Sequence, residues 1–147
     1  MKLQLTRRYC FAASHRLHSA QLGEEENKRI YGKCNNPYGH GHNYVVEVAV
    51  SGPVDPATGM IANLSELDAF VEREVIEPLD HKYLNEEISD FRERVPTTEN
   101  LCIAIFNRLR GFPRATVIYP ITLPEMLRKD RRCRTQRMRY TYPQPRQ

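Results

Sequence analysis

"HGHNYVVEVAV", residues 40–50, alternates with a period of two. His40, His42, Tyr44, Val46, Val48 and Val50 share one parity, so a strand sends all six to the same face. The histidines therefore lie on the face that becomes apolar further along. "SGPVDPATGM", residues 51–60, is dense in Gly, Pro and Asp and stops the strand.

An equivalent run precedes it. Leu3, Leu5, Tyr9, Phe11, Ala13 and His15 share a parity, so His15 ends an otherwise apolar face. Between the two runs, "SAQLGEEENKRIYGK" is polar, carries three consecutive glutamates and reads as a loop or short turn. Downstream, Asn63 with Glu66 three residues later has capping-box spacing. Leu64, Leu67, Val71 and Val75 mark one helical face, and Pro78 is expected to end the helix. Thr97 is expected to cap a second helix whose apolar stripe is Leu101, Cys102, Ile105, Phe106 and Leu109, with Gly111 and Pro113 ending it. A third strand covers Ala115 to Leu123, where Pro120 points to an edge or a bulge. Met138, Tyr140 and Tyr142 form a short last strand. The order strand, strand, helix, helix, strand, strand predicts an α+β fold: a four-stranded antiparallel sheet with two helices on one face.

At 147 residues the chain is long enough for one domain with its own core. Its net charge of +4 is unevenly held. Residues 126–147 carry eight Lys and Arg against Asp130 alone, a net +7, which leaves −3 on residues 1–125. We therefore divide the chain into one folded domain, residues 1–125, and a basic C-terminal segment, residues 126–147. A solvated basic segment is not a nucleic-acid face, which needs basic residues clustered with aromatics on a folded surface. No run has the length of a membrane span, and the N-terminal residues lack the apolar core of a secretion signal. Cys10, Cys34, Cys102 and Cys133, widely spaced, then read as reduced thiols of a cytoplasmic protein.

A lone histidine on an apolar face is more often a satisfied core residue than a ligand. An H-x-H pair is different, because both imidazoles project the same way from a strand, and Gly41 clears the opposite face. His40 and His42 with His15 of the neighbouring strand make a three-nitrogen tripod that suits Zn²⁺ and leaves a fourth position for water or substrate. His18 competes with His15 for the third place but has the other parity and lies beyond the strand. Cys34, six residues before His40, is either a further ligand or a reacting thiol beside the metal; the spacing allows both.

"CFAASHRL", "YGKCNNPYGHGHNY", "DPATGM", "PLDHKYLN" and "PTTEN", in this order, resemble the 6-pyruvoyl tetrahydropterin synthase family from about residue 9 to about residue 110. "DPATGMIANL" is more similar to the 6-pyruvoyl enzymes than to the 6-carboxytetrahydropterin synthases. The resemblance implies the tunnelling fold, in which sheets of several subunits join into a barrel. It also implies a homohexamer of two stacked trimers with interfacial active sites. The implied substrate is 7,8-dihydroneopterin triphosphate, which loses triphosphate to give 6-pyruvoyl tetrahydropterin.

Position by position, the resemblance makes His15, His40 and His42 zinc ligands and Cys34 the catalytic base. Asp80 and His81 become the pair that completes a proton-transfer triad with Cys34, across a subunit boundary. Glu99 and Glu125 become pterin-binding carboxylates, and Mg²⁺ is expected to accompany the triphosphate. Four of these residues have an ordinary alternative: Asp80 and His81 as polar residues of a helix exit after Pro78, Glu99 as a helix N-terminal acid, and Glu125 as an exposed strand-end acid. After Gly111 the match weakens: prolines interrupt the strand and a basic stretch looks inserted. Two alternatives therefore accompany the main reading, a 6-carboxytetrahydropterin synthase-like side-chain lyase and a non-catalytic zinc-binding oligomer.

Overall fold

The computed structural model describes residues 3–113, 115–122 and 139–141, the last two ranges through their backbone. β1 (Leu3–His15) and β2 (His40–Gly52) pair antiparallel along their whole lengths, from Leu3 opposite Gly52 to His15 opposite His40. Leu5, Phe11 and Ala13 of β1 and Tyr44, Val46, Val48 and Val50 of β2 are buried on one face, as the alternation predicts. Val45 and Ala49 are buried on the other parity of β2.

β3 (Lys82–Tyr83) runs parallel to β1 at Ala13 and Ser14, and β4 (Ala115–Thr122) is antiparallel to β2. β5 (Arg139–Thr141) pairs antiparallel with β1 at Gln4–Thr6. The sheet order is β3-β1-β2-β4, with β5 also on β1, so the described residues form five strands rather than the expected four. The addition is β3, two residues whose pairing leaves no periodicity to read. β4 ends the strand order, and its ladder shifts register between Glu47 and Val48, close to Pro120. Proline cannot donate to a ladder, so an edge with a bulge accommodates it. Glu125 and the basic residues up to Met138 lie outside the described residues, as does Tyr142.

α1 (Glu24–Tyr31) occupies the stretch expected to be a loop. Its surface is polar, and its one buried side chain is Asn27, whose amide donates to the carbonyls of Ser19, Leu22 and Gly23. A helix held by an asparagine rather than an apolar stripe carries no hydrophobic period. α2 (Leu64–Val71) starts where expected: Asn63 Oδ1 accepts from the Ser65 N–H at 3.0 Å, and its Nδ2 donates to Glu66. Leu67, Val71, Val75 and Leu79 are fully buried against the sheet, each stabilising by about 1.5–3 kcal/mol.

Pro78 does not end the helix. A π-helical turn (Glu72–Ile76) leads into α3 (Glu77–Leu79), with Pro78 inside its first turn. Proline cannot donate to the carbonyl four residues back, that of Glu74. Arg108 Nη1 lies 3.5 Å from this oxygen, and the Glu77 N–H reaches past it to Glu72.

Beyond β3, α4 (Leu84–Glu87) is a single turn. α5 (Thr98–Leu109) is capped by Thr97, which accepts from the Asn100 N–H, and buries Leu101, Ala104, Ile105 and Leu109 in the same core. Phe106, expected in that stripe, is 40% exposed and lies under the Arg110 guanidinium. A further correction concerns the thiols. Cys34 and Cys102 are free, but Cys10 is disulfide-bonded, since proximity in space and not sequence spacing governs pairing. No helix among the described residues is long and apolar enough to cross a membrane.

Candidate metal centre and acid–base pair

The β1–β2 register builds the centre. His15 sits opposite His40, and His42 opposite Ala13, so three imidazoles meet where the two strands begin and end. Ring centroids lie 4.8 Å apart for His15–His40 and His15–His42, and 4.4 Å apart for His40–His42. Gly39, with φ +68°, lets the chain enter β2 here: a Cβ would lie 3.0 Å from the Tyr83 ring and 3.1 Å from the His15 carbonyl oxygen.

His15 is 5% exposed, and its Nδ1 lies 2.9 Å from the Pro96 carbonyl oxygen. A carbonyl only accepts, so Nδ1 carries the proton and Nε2 keeps its lone pair. Nε2 faces His42 Nε2 at 3.1 Å. The His15 pKa is lowered to about 4, chiefly by burial; the Pro96 bond opposes this, and the neighbouring His42 and His40 add to the lowering. Burial, then His40, also lowers the His42 pKa. Neutral imidazoles are the form that binds a metal.

Both ring nitrogens of His40 are buried and have no hydrogen-bond partner among the described residues. A buried polar atom left in that state is costly. The 3.1 Å separation of the other two nitrogens is close to the about 3.4 Å edge of a tetrahedral zinc shell. The donor set thus fits a metal ion. His15, Cys34 and His40 can each offer one donor atom, all within 4.8 Å of one another. Cys34 rides a 3₁₀ turn (Gly32–Asn35) entered through Gly32 at φ +53°. Burial, then the neighbouring Cys34, raises the pKa of the Tyr44 hydroxyl.

His18 stands apart from this group: its Nδ1 accepts from Asn35 Nδ2 at 3.1 Å and from Arg16 Nη2 at 3.3 Å. Two contributors had no sequence signal of their own. The Pro96 carbonyl is a backbone group, and the Tyr44 hydroxyl, 3.3 Å from His15 Nδ1, reads as one more apolar-face residue.

Asp80 and His81 meet although they are sequence neighbours. His81 takes φ +58°, the left-handed region, directly after the helix. That turn swings its ring back so that Nδ1 lies 2.8 Å from Asp80 Oδ2. Asp80 Oδ1 accepts from the Ala12 N–H at 2.8 Å, and the His81 N–H donates to the Ala12 carbonyl at 2.6 Å. The carboxylate is thereby anchored to the β1 edge while it orients the imidazole. The His81 side chain is 83% exposed. It lines a shallow cleft with Ala12, Ser14, Gly41, His42 and Asn43, where Ala12, Ser14, Gly41 and Asn43 have the parity opposite to the three histidines. Glu99 is exposed in the first turn of α5. A bond from its own N–H, then one from the Thr97 hydroxyl, hold its carboxyl below the usual range.

A strained backbone, an oriented imidazole and an orphaned imidazole nitrogen able to hold a metal are features of a site rather than of a core. Comparison with known proteins agrees. Residues 4–129 match the family model described as 6-pyruvoyl tetrahydropterin synthase. The 6-pyruvoyl tetrahydrobiopterin synthase of Poecilia reticulata is 50% identical over 121 residues, 82% of each chain. The protein of that name from Homo sapiens is 47% identical over 122 residues, 83% of this chain and 84% of that one. Among solved structures, Caenorhabditis elegans 6-pyruvoyl tetrahydropterin synthase superposes with a TM-score of 0.71 at 41% identity, covering 74% of this chain and 77% of that one.

Proposed function

Since this chain belongs to the 6-pyruvoyl tetrahydropterin synthase family, we propose that it is the lyase converting 7,8-dihydroneopterin triphosphate to 6-pyruvoyl tetrahydropterin, with release of triphosphate. The observation that carries the mechanism is the convergence of three imidazoles and one thiol at the end of β1. In this reading His15, His40 and His42 hold Zn²⁺, and Cys34 is the base.

Zinc, when bound, acts as a Lewis acid toward the substrate's side-chain hydroxyls. The chain's own residues handle the protons. Cys34, as a thiolate, takes the carbon-bound proton of the side chain. Asp80, fixed by the Ala12 N–H, holds the Nδ1 proton of His81, which leaves His81 Nε2 free to accept or deliver a proton. The exposure of His81 suits a partner across a subunit boundary, so the homohexamer, with sheets joined into a barrel, belongs to the same reading. Glu99 and Glu125 are assigned to the pterin's 2-amino and N3–H donors, for which a carboxylate is the strong acceptor. Mg²⁺ on the triphosphate and a cytoplasmic setting complete the proposal.

One observation favours a second arrangement. The donor atoms of His15, Cys34 and His40 lie close enough for Cys34 to be a ligand, which would close the site. Triphosphate release by zinc-loaded protein and by its Cys34→Ala variant, with metal content and product mass measured, separates the two. A parent that releases triphosphate and yields 6-pyruvoyl tetrahydropterin, beside an inactive variant that keeps its zinc, supports the open site. Zinc lost with the thiol supports the closed one. A 6-carboxytetrahydropterin product would move the chain to the side-chain lyase alternative.

A further inference from the structure

β1 ends at His15, so the backbone groups of Arg16 and Leu17 have no strand ladder to join. They are instead clasped in sequence. Asn85 Oδ1 accepts from the Arg16 N–H at 2.8 Å, and Asn85 Nδ2 donates to the Arg16 carbonyl at 2.9 Å. The Leu17 N–H donates to the Cys34 carbonyl at 2.7 Å, and the Leu17 carbonyl accepts from Asn35 Nδ2, also at 2.7 Å. Asn35 is 5% exposed; its amide also donates to His18 Nδ1, and its carbonyl accepts from Arg16 Nε at 3.3 Å.

We propose that Asn35 and Asn85 are positioning residues, which lock the segment after His15 against the turn that carries Cys34 and so set the thiol relative to the imidazoles. This rests on the reading of Cys34 as the base. The turn needs such help: it is four residues long and follows a glycine in left-handed conformation. Its tie to β1 is the Cys34 carbonyl itself, flanked by the Asn35 amide. Asn85 adds the third element. It sits in α4 directly after β3, whose pairing with Ala13 and Ser14 also places the Asp80–His81 corner beside β1. The clasp thus joins metal centre, thiol and acid–base pair through one short stretch of main chain. An amide suits Asn85 because it donates and accepts in one plane, and suits Asn35 because its Nδ2 donates twice; at either position a carboxylate would lose the donor and face a carbonyl with its charge.

The test uses zinc-loaded full-length protein carrying Asn35→Ala or Asn85→Ala, each also combined with Cys34→Ala. Triphosphate release gives kcat and KM, metal analysis gives zinc content, and peptide mapping gives the rate at which iodoacetamide alkylates Cys34. Misplacing a reacting group by about 1 Å costs about 100-fold, so kcat is expected to fall about 10- to 100-fold with KM and zinc content unchanged. The alkylation rate of Cys34 should change in the same variants, and neither substitution should add to the loss already caused by Cys34→Ala. Parent-like kcat and alkylation overturn the proposal, as does an equal loss with and without the thiol. If Asn35→Ala does not fold, Asn85→Ala decides, since that side chain is only half-buried. Should the parent release no triphosphate, the catalytic reading fails by itself, and alkylation, which needs no turnover, still decides the positioning.

Discussion

The three histidines and the Asp80–His81 corner are built by opposite means. The histidines are set by thirteen-residue strands in unbroken register, with His15 buried and backed by a main-chain carbonyl and His40 and His42 partly buried. The corner depends on one residue in left-handed conformation, and its imidazole stands in the open. The chain therefore gathers a group able to hold a metal from its own sheet but presents Asp80 and His81 outward. In the interfacial assembly proposed above, the first region would form on folding and the second would become useful only on assembly.

The largest effects should fall on the histidines. His40→Ala removes a donor whose nitrogens have no other partner among the described residues, so the variant should lose zinc on dialysis and all measurable triphosphate release; metal retention with activity would break the contrast. His81→Gln should lower kcat about 10²- to 10⁴-fold, the range for a general acid–base group, while zinc content and assembly stay as in the parent. A loss of zinc there would mean that the two regions are not independent.

Gly39→Ala tests the entry to β2. A side chain at φ +68° against the His15 carbonyl should destabilise the protein by about 1–3 kcal/mol, read from denaturant unfolding. The smallest effect is on pH. Buried His15 has a folded pKa near 4, below its unfolded value near 6.5, so the unfolded chain binds more protons between those limits. Metal-free protein should thus lose stability as pH falls from about 6.5 to about 4, and His15→Gln should flatten that slope.

What could be read beforehand follows the same divide. Period-two alternation and helix caps are local, so β1, β2, the Asn63 and Thr97 caps and the buried faces of α2 and α5 were legible. Parity alone placed His15, His40 and His42 on core-facing strand faces; the register that sets His15 opposite His40 is a tertiary fact. α1 escaped because Asn27, not an apolar stripe, holds it. Pro78 was read as a stop because the carbonyl it orphans is met by Arg108, remote in sequence. The meeting of Asp80 with His81 was hidden for another reason: adjacent side chains diverge in any regular element, and only a left-handed residue brings them together.

The bond from His15 to the Pro96 oxygen has one more consequence. Its acceptor belongs to the main chain, so no codon change at position 96 can delete it. A lineage can exchange the residue there, provided the path of the chain is kept, and the imidazole still presents the same nitrogen to His42. Tautomer choice at the centre is thereby insulated from point mutation and entrusted to the fold as a whole.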